Sequence, residues 1–412
     1  MPRLYGSSNF QYTCKLSKAA QKQRIKKLSN RDSNPSSSPK TKNIVIVGAG
    51  VIGAGIAYHL SRRDGITVTV LERDIPGAGA SGHSFAWANA FGKEPRDYHT
   101  LNRRSLDMWY RLAHQLDGDI GIHYGGEMRW ENNPQHATQL RQRIEQIQRW
   151  GYPCRLITRD EMLALEPHLH PGTVAAASFS EADIHIETDR FINVCLRHAC
   201  ETGAVVHPQT SVIGFVIRNG RVAAVKTTDA EFPCDAVVLA SGVQTTELAS
   251  LAHTHIPQQR SPGIVIETTP CAKVLHNVAV IHAPPRDENY QHLHLRQLSD
   301  GSLRIGQGTQ EGINRDDSQQ HADALLARAK AYLPAIADAE AIPTPIGYRP
   351  MPFDGFPVLG FTEAVQNLYI ALMHSGVTLA PLVGEMATLE IADGARVDWF
   401  APYRPERFKT NP

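Results

Sequence analysis

The chain has 412 residues, with 42 lysines and arginines against 41 acidic residues and a formal net charge of +1. This charge is divided unequally, because residues 1–42 carry ten basic side chains and one acid, whereas the remainder carries 32 basic and 40 acidic side chains. A segment of net charge +9 therefore precedes a body of −8. The acidic body argues against a nucleic-acid-binding protein, since such proteins present a positive surface to phosphate.

Six cysteines form no Cys-x-x-Cys pair, which argues against structural zinc, an iron–sulfur cluster and a disulfide framework. We therefore predict no metal site and a reducing compartment, the cytoplasm. Residues 43–60 are largely apolar, but a bilayer span needs about 20 unbroken apolar residues. The sequence accordingly predicts no transmembrane segment.

Residues 1–42 lack hydrophobic periodicity, and residues 30–42 have the polar composition of a disordered linker. Residues 15–29 could form a short basic helix. An organelle transit peptide, a surface-binding arm and a solvated extension all fit this composition. We favour the extension, because basic tails are common and unspecific.

The body opens with the order strand, glycine turn, helix, strand and acid, at residues 44–47, 48–50, 51–63, 66–71 and 72. This order is typical of a dinucleotide-binding unit. Gly48 makes the tight turn, Gly50 lets a pyrophosphate approach the backbone, and Gly53 lets helix and sheet pack closely. The helix N-terminus attracts phosphate, and Glu72 can accept hydrogen bonds from ribose hydroxyls. The motif alone does not distinguish FAD from NAD.

Two further segments fit a nucleotide-binding fold. Residues 76–84 form a loop of small residues that can lie close to a flat ring system, and residues 234–242 form a buried strand that ends in a turn at Gly242. A hairpin return is predicted at residues 220–225. No second Gly-x-Gly-x-x-Gly motif occurs, which disfavours an enzyme that binds two nucleotides.

Together these motifs resemble the D-amino-acid oxidase-like flavoprotein family, which includes glycine oxidase, sarcosine oxidase and D-amino-acid dehydrogenases. The resemblance covers roughly residues 43–408 and rests on the glycine motif with Glu72, the loop at 79–82, the strand at 237–242 and a C-terminal segment. It implies an α/β fold, in which a Rossmann-like FAD-binding domain carries an inserted antiparallel-sheet substrate domain.

The resemblance also implies that FAD is the cofactor and that certain residues contact it: Gly48, Gly50, Gly53, Glu72, Arg73, Ser81, Gly82, His83, Ser84, Val212, Gly242, Gly376, Val377 and Thr378. Glu72 would bind the adenosine ribose, Val212 the adenine through its backbone, and residues 81–84 the pyrophosphate and flavin ring. The family's sarcosine oxidases anchor the flavin through a cysteine near the Arg349 segment. No cysteine follows Cys271 here, so we predict non-covalent FAD.

Residues 347–360 form a segment rich in proline and glycine around Arg349. The matching family segment holds the substrate carboxylate with an arginine, whose planar fork suits two parallel hydrogen bonds. A salt bridge from Arg349 to an interior acid is the structural alternative. Residues 374–381 are predicted to form a turn before a helix at 382–392. In the family this turn lies under the flavin, where its N–H groups can stabilise negative charge. His374 could add a hydrogen bond or simply fill space.

The third part of the expected site is a hairpin whose turn contains Asp300 and Gly301. Its first strand places a set of polar side chains on one face: Tyr290, His292, His294 and Arg296. The family's amino-acid oxidases often have a substrate-contacting tyrosine seven residues before the turn glycine, and this chain has His294 there. That departure puts a simple D-amino-acid or glycine oxidase in doubt, and a strand face without a catalytic role is equally compatible.

We therefore predict an FAD-dependent oxidase or dehydrogenase that oxidises the C–N bond of a small amino acid or secondary amine by hydride transfer to the flavin. Arg349, His374 and His294 are the candidate catalytic residues, and oxygen or an electron carrier is the acceptor. Oxidation of a 2-hydroxy acid on the same fold and a flavin-binding protein without turnover of its own are the alternatives.

The predicted domains follow from this assignment. Residues 1–42 form the basic tail. The FAD-binding domain is discontinuous and comprises residues 43–122, 155–254 and 343–408. The substrate domain comprises residues 123–154 and 255–342, where antiparallel hairpins cluster.

Overall fold

The computed structural model describes residues 41–286, 291–308 and 316–408. A six-stranded sheet forms its first half, with the strands in the spatial order Val358–Phe361, Leu368–Leu372, Ala236–Leu239, Lys42–Val47, Ile66–Leu71 and Val205–His207. Neighbouring strands are parallel except for the first pair. The first strand begins at Lys42, which pairs with Ile66. Residues 1–40 of the predicted tail lie outside the described part of the chain.

Helices cover one face of this sheet and bury its aliphatic residues: Val51–Ser61, Arg96–Gln115, Thr188–Glu201 and Gly376–Asp393. The other face packs against the helix Thr245–Ser250 and a small antiparallel sheet of Val212–Arg218, Arg221–Thr227 and Glu231–Pro233. The hairpin predicted near residue 220 is present, with Asn219 and Gly220 both at positive φ in its turn. Burial on both faces explains the continuous apolar character of the central strands.

An eight-stranded sheet forms the second half, in the spatial order Ala341–Pro343, Val265–Thr268, Leu303–Gln307, Leu293–Gln297, Val280–Ala283, Glu127–Glu131, Ala176–Ser180 and Cys154–Ile157. All but one of its neighbouring pairs are antiparallel. One face packs on a second hydrophobic core with the helix Gln319–Tyr332. The predicted α/β class, a parallel sheet with a separate antiparallel-rich sheet, is confirmed.

The remaining described elements connect or flank these two sheets: the helices Pro134–Arg149 and Arg159–Leu165, the strands Trp87–Ala88, Ile122–His123, Ile184–Ile186, Gln258–Gly263 and Gly347–Pro352, and the 3₁₀ turns Gly242–Gln244, Pro334–Ile336, Asp398–Tyr403 and Pro405–Phe408. Strand Ala176–Ser180 pairs with Glu127–Glu131 in the eight-stranded sheet, although the predicted boundaries assign the two strands to different domains. The domain boundaries stay a prediction.

The C-terminal helix differs from its predicted extent. It begins at Gly376, six residues before the predicted start, and contains Pro381. A proline inside a helix leaves the carbonyl four residues earlier without its N–H donor. Here that carbonyl belongs to Val377, and the Trp109 indole Nε1 donates to it at 3.2 Å. The indole supplies the missing donor, so the helix continues through the proline.

None of the helices in the described ranges is long and apolar enough to cross a membrane.

Candidate active site

A groove of about 380 Å³ lies at the carboxyl ends of the parallel strands. This is where nucleotides bind in open α/β sheets. Its lining includes most of the predicted cofactor residues: Gly48, Gly50, Glu72, Arg73, Ser81, Ser84, Val212, Gly242, Gly376 and Val377. The other predicted cofactor residues do not line it. Gly53 is buried beneath the turn, Gly82 lies in the loop, and His83 and Thr378 line a second cavity.

Two glycines of the motif meet steric demands that match their predicted roles. A Cβ on Gly53 would lie 1.9 Å from the Gly48 carbonyl oxygen, so any side chain there would displace the turn. A Cβ on Gly50 would lie 3.0 Å from Ser81 Oγ, at the floor of the groove. The Val51 N–H, the first of the helix, donates to that same Oγ at 3.1 Å. The turn is therefore shaped to let a phosphate group approach the backbone.

The Glu72 carboxylate ties together the loops at the adenosine end of the groove. Its Oε2 accepts the Ala49 N–H at 2.8 Å, and its Oε1 accepts the Asp74 N–H at 3.0 Å. Each carboxylate oxygen can accept a second hydrogen bond. Glu72 thus both fixes the glycine turn and retains acceptor capacity for ribose hydroxyls.

A second cavity, of about 610 Å³, is continuous with the groove. The two share a set of lining residues: Ala80, Ser84, Pro350, His374 and Val377. All three candidate catalytic residues, Arg349, His374 and His294, line this second cavity. The structure therefore brings together residues that lie up to 80 positions apart in sequence, next to the predicted flavin-contacting turn.

One side of the cavity is a row of residues that face each other across five strands of the large sheet: Arg129, His282, His294, Gly306 and Val265. Side chains of directly opposed residues lie on the same face of a sheet. The flanking Leu293 and Leu295 point into the hydrophobic core, as the alternation predicts. Gly306 contributes no side chain, which leaves room beside His294 and Phe85.

The histidines of this row are held neutral. His294 Nδ1 lies 2.9 Å from His282 Nδ1, so one ring donates and the other accepts. Burial, followed by the charge of Arg129, lowers the pKa of His294 to about 3. Burial also lowers the pKa of His282 well below its ordinary value. These rings can therefore act as neutral hydrogen-bonding groups at physiological pH.

The other members of the predicted histidine face have different surroundings. His292 Nε2 lies 3.0 Å from a carboxylate oxygen of Glu131, and Arg296 is buried, donating to His185 Nδ1 at 2.8 Å. Tyr290 lies outside the described residues. Across residues 41–286, 291–308 and 316–408, no cluster of three or more histidine, cysteine or acidic side chains is arranged to hold a metal ion.

Arg349 is positioned by an antiparallel pair of strands, in which it faces Ser261. Its Nη1 donates to Ser261 Oγ at 3.1 Å and to the Pro262 carbonyl at 2.9 Å. These contacts hold the guanidinium at the cavity wall. His374 lies nearby, and burial together with the charges of Lys93 and Arg349 lowers its pKa to about 3.

Several cavity residues were not identified from the sequence: Lys93, Trp87, Phe91, Arg129 and His282. Arg129 had a signal, because the strand Glu127–Glu131 alternates charged residues with the buried Met128 and Trp130. Charged residues on one face of a strand whose other face is core mark a polar cavity or buried network. Lys93 and His282 carried no comparable local pattern.

The parallel sheet, glycine turn and adjoining cavity define a dinucleotide-binding enzyme of the α/β class. The chain belongs to the FAD dependent oxidoreductase family, whose model matches residues 43–389. The predicted family and cofactor are thereby confirmed: the protein is an FAD-dependent oxidoreductase.

Among relatives, an uncharacterized oxidoreductase of Bacillus subtilis (strain 168) is 28% identical, over 88% of this chain and 98% of that protein. An opine oxidase polypeptide of Agrobacterium tumefaciens (strain Ach5) is 24% identical, over 89% of this chain and 97% of that protein. The structure of glycine oxidase from Geobacillus kaustophilus superposes with a TM-score of 0.79 at 25% identity, over 90% of this chain and 100% of that one.

Proposed function

We propose that the protein oxidises the C–N bond of a small amino acid or secondary amine that carries a carboxylate. The observation that carries this proposal is Arg349 at the wall of a 610 Å³ cavity that opens into the nucleotide groove. An arginine fork is suited to a carboxylate. The relatives named glycine oxidase and opine oxidase support an amine or amino-acid substrate.

The residues of the chain divide the work of binding and orienting. Arg349 holds the carboxylate, and the neutral His294 and His374 offer hydrogen bonds without adding charge next to the substrate nitrogen. The N-terminus of the helix Gly376–Asp393 lies where groove and cavity meet, and its free N–H groups favour negative charge there. Bound FAD supplies a two-electron acceptor for the substrate. No protein base is required when the amine binds in its neutral form.

The site fits non-covalent FAD, which stays part of the proposal. Water would hydrolyse the imine product, and oxygen or an electron carrier would complete the turnover. Measurement of peroxide released in air distinguishes these two acceptors.

The decisive experiment is anaerobic bleaching of the flavin absorbance by a panel of amino acids, N-methyl amines and 2-hydroxy acids. Bleaching by amines that carry a carboxylate supports the proposal. Bleaching by 2-hydroxy acids alone would establish the other substrate class. A flavin that no compound bleaches would indicate a flavin-binding protein without turnover of its own.

A further inference from the structure

The cavity contains a second arginine, Arg129, whose surroundings suit an anion. Its Nε donates to Glu127 Oε1 at 3.0 Å, and its guanidinium carbon lies 4.1 Å from the centre of the Phe91 ring. Within the described residues, its two terminal nitrogens have no hydrogen-bond acceptor, although the side chain is only 12% exposed. A largely buried guanidinium loses hydration, which an anionic ligand would replace.

Lys93 adds a second cation to this part of the cavity. It follows Phe91 by two residues and lines the same space as Arg129. Its ammonium group has no hydrogen-bond or ion-pair partner in the described ranges. Burial lowers the pKa of Lys93 to about 8, so the side chain is still mainly protonated at neutral pH.

The charge balance of the cavity exceeds what one carboxylate neutralises. Among the described residues of the lining there are three permanent or near-permanent cations, Arg349, Arg129 and Lys93, and no acidic side chain. Glu127 lies beneath Arg129 rather than in the lining, and burial raises its pKa to about 7. It therefore offsets the charge of Arg129 incompletely. After Arg349 has bound a carboxylate, positive charge remains at Arg129 and Lys93.

The two arginines lie at opposite ends of the row of residues across the sheet. Arg129 is its first member, and Val265 is its last. A Cβ on Gly263, two residues before Val265, would lie 3.3 Å from Arg349 Nη2. Four strand spacings of about 4.8 Å separate the ends of the row at the backbone, roughly 19 Å. Both arginine side chains reach into the cavity from these ends, with His282 and His294 between them.

We propose that the preferred substrate is an amine with two carboxylates, one held by Arg349 and the other by Arg129 and Lys93. This class comprises N-carboxyalkyl amino acids and amino dicarboxylic acids. The inference rests on the proposed function and specifies its substrate. Hydrogen bonds between charged groups in a desolvated cavity are among the strong ones, so the second carboxylate should improve recognition at least about tenfold.

The test compares matched substrates with the flavin-loaded enzyme. We expect kcat/KM for iminodiacetate to exceed that for N-methylglycine at least about tenfold, and aspartate to exceed alanine of the same configuration similarly. Arg129→Gln and Lys93→Met should each reduce these ratios several-fold, with less than about threefold change for the monocarboxylates. Arg155→Gln is the control, because this arginine is in the same sheet but pairs with Glu161 at the exposed surface. Equal kcat/KM for the matched substrates, or ratios unchanged in both cavity variants, would overturn the proposal.

Calorimetry with glutarate and butyrate gives a readout that does not depend on turnover. We expect glutarate to bind the wild type and Arg155→Gln more tightly than butyrate does, and this advantage to disappear in Arg129→Gln and Lys93→Met. Bleaching by monocarboxylate amines without any preference for a second carboxylate would contradict this inference alone. No bleaching by any amine would contradict the proposed function, and the glutarate measurement would then decide whether the two-carboxylate site exists.

Discussion

The Nδ1 atoms of His294 and His282 lie 2.9 Å apart, on antiparallel strands that place the two residues directly opposite each other. A hydrogen bond between two ring nitrogens requires one donor and one acceptor, so at least one ring is neutral. Burial and the nearby Arg129 disfavour charge on either ring. The pair therefore couples the shape of the cavity to pH.

The first prediction concerns acid stability. An unfolded histidine has a pKa near 6.5, whereas that of folded His294 is about 3. The unfolded state therefore binds more protons in between, and the free energy of unfolding falls as pH drops through this window. Each such histidine contributes up to about 1.4 kcal/mol per pH unit. We expect His294→Gln to make the decrease between pH 6.5 and 4.5 shallower in urea denaturation. His255→Gln, at an exposed position, serves as control, and an equal change in both variants would contradict the assignment.

The second prediction concerns Arg349. Replacement by methionine removes the charged donors but keeps much of the apolar side chain. We expect kcat/KM for carboxylate-bearing amines to fall roughly 10- to 100-fold, the cost of charged hydrogen bonds, while the flavin stays bound. A neutral amine of similar size should be affected much less. An equal loss with the neutral amine would show that Arg349 acts structurally, through its contacts with Ser261 and Pro262.

The third prediction separates the two roles of the glycine motif. Gly53→Ala puts a Cβ 1.9 Å from the Gly48 carbonyl oxygen, a backbone clash that should strongly destabilise the fold. Gly50→Ala meets only Ser81 Oγ, at 3.0 Å, so it should fold but lose flavin affinity. Gly214→Ala is the control, because its Cβ would contact nothing within 4 Å. Thermal unfolding and the flavin-to-protein absorbance ratio measure the two effects. Normal flavin content in Gly50→Ala would contradict the phosphate role of that glycine.

The sequence was most informative where structure is determined locally. The strand predicted at residues 66–71 matches Ile66–Leu71, and the glycine spacing located the groove, because turn and helix follow directly along the chain. Arg129 and His282 could not be placed, since strand register brings them together across more than 150 residues. The helix start at Gly376 was missed for a similar reason. The donor that compensates for Pro381 comes from Trp109, far away in sequence.

The fourth prediction concerns the basic N-terminal segment. The first strand begins at Lys42, whose backbone N–H donates to the Gly65 carbonyl at 2.8 Å, and no predicted cofactor or catalytic residue precedes it. Deletion of residues 1–40 should therefore leave flavin content, kcat and KM unchanged. Deletion of residues 1–47 is the contrasting variant. It removes a strand that pairs on both sides in the parallel sheet, so it should abolish folding. Loss of flavin or of turnover on removing residues 1–40 would show that the basic segment contributes to the enzyme itself.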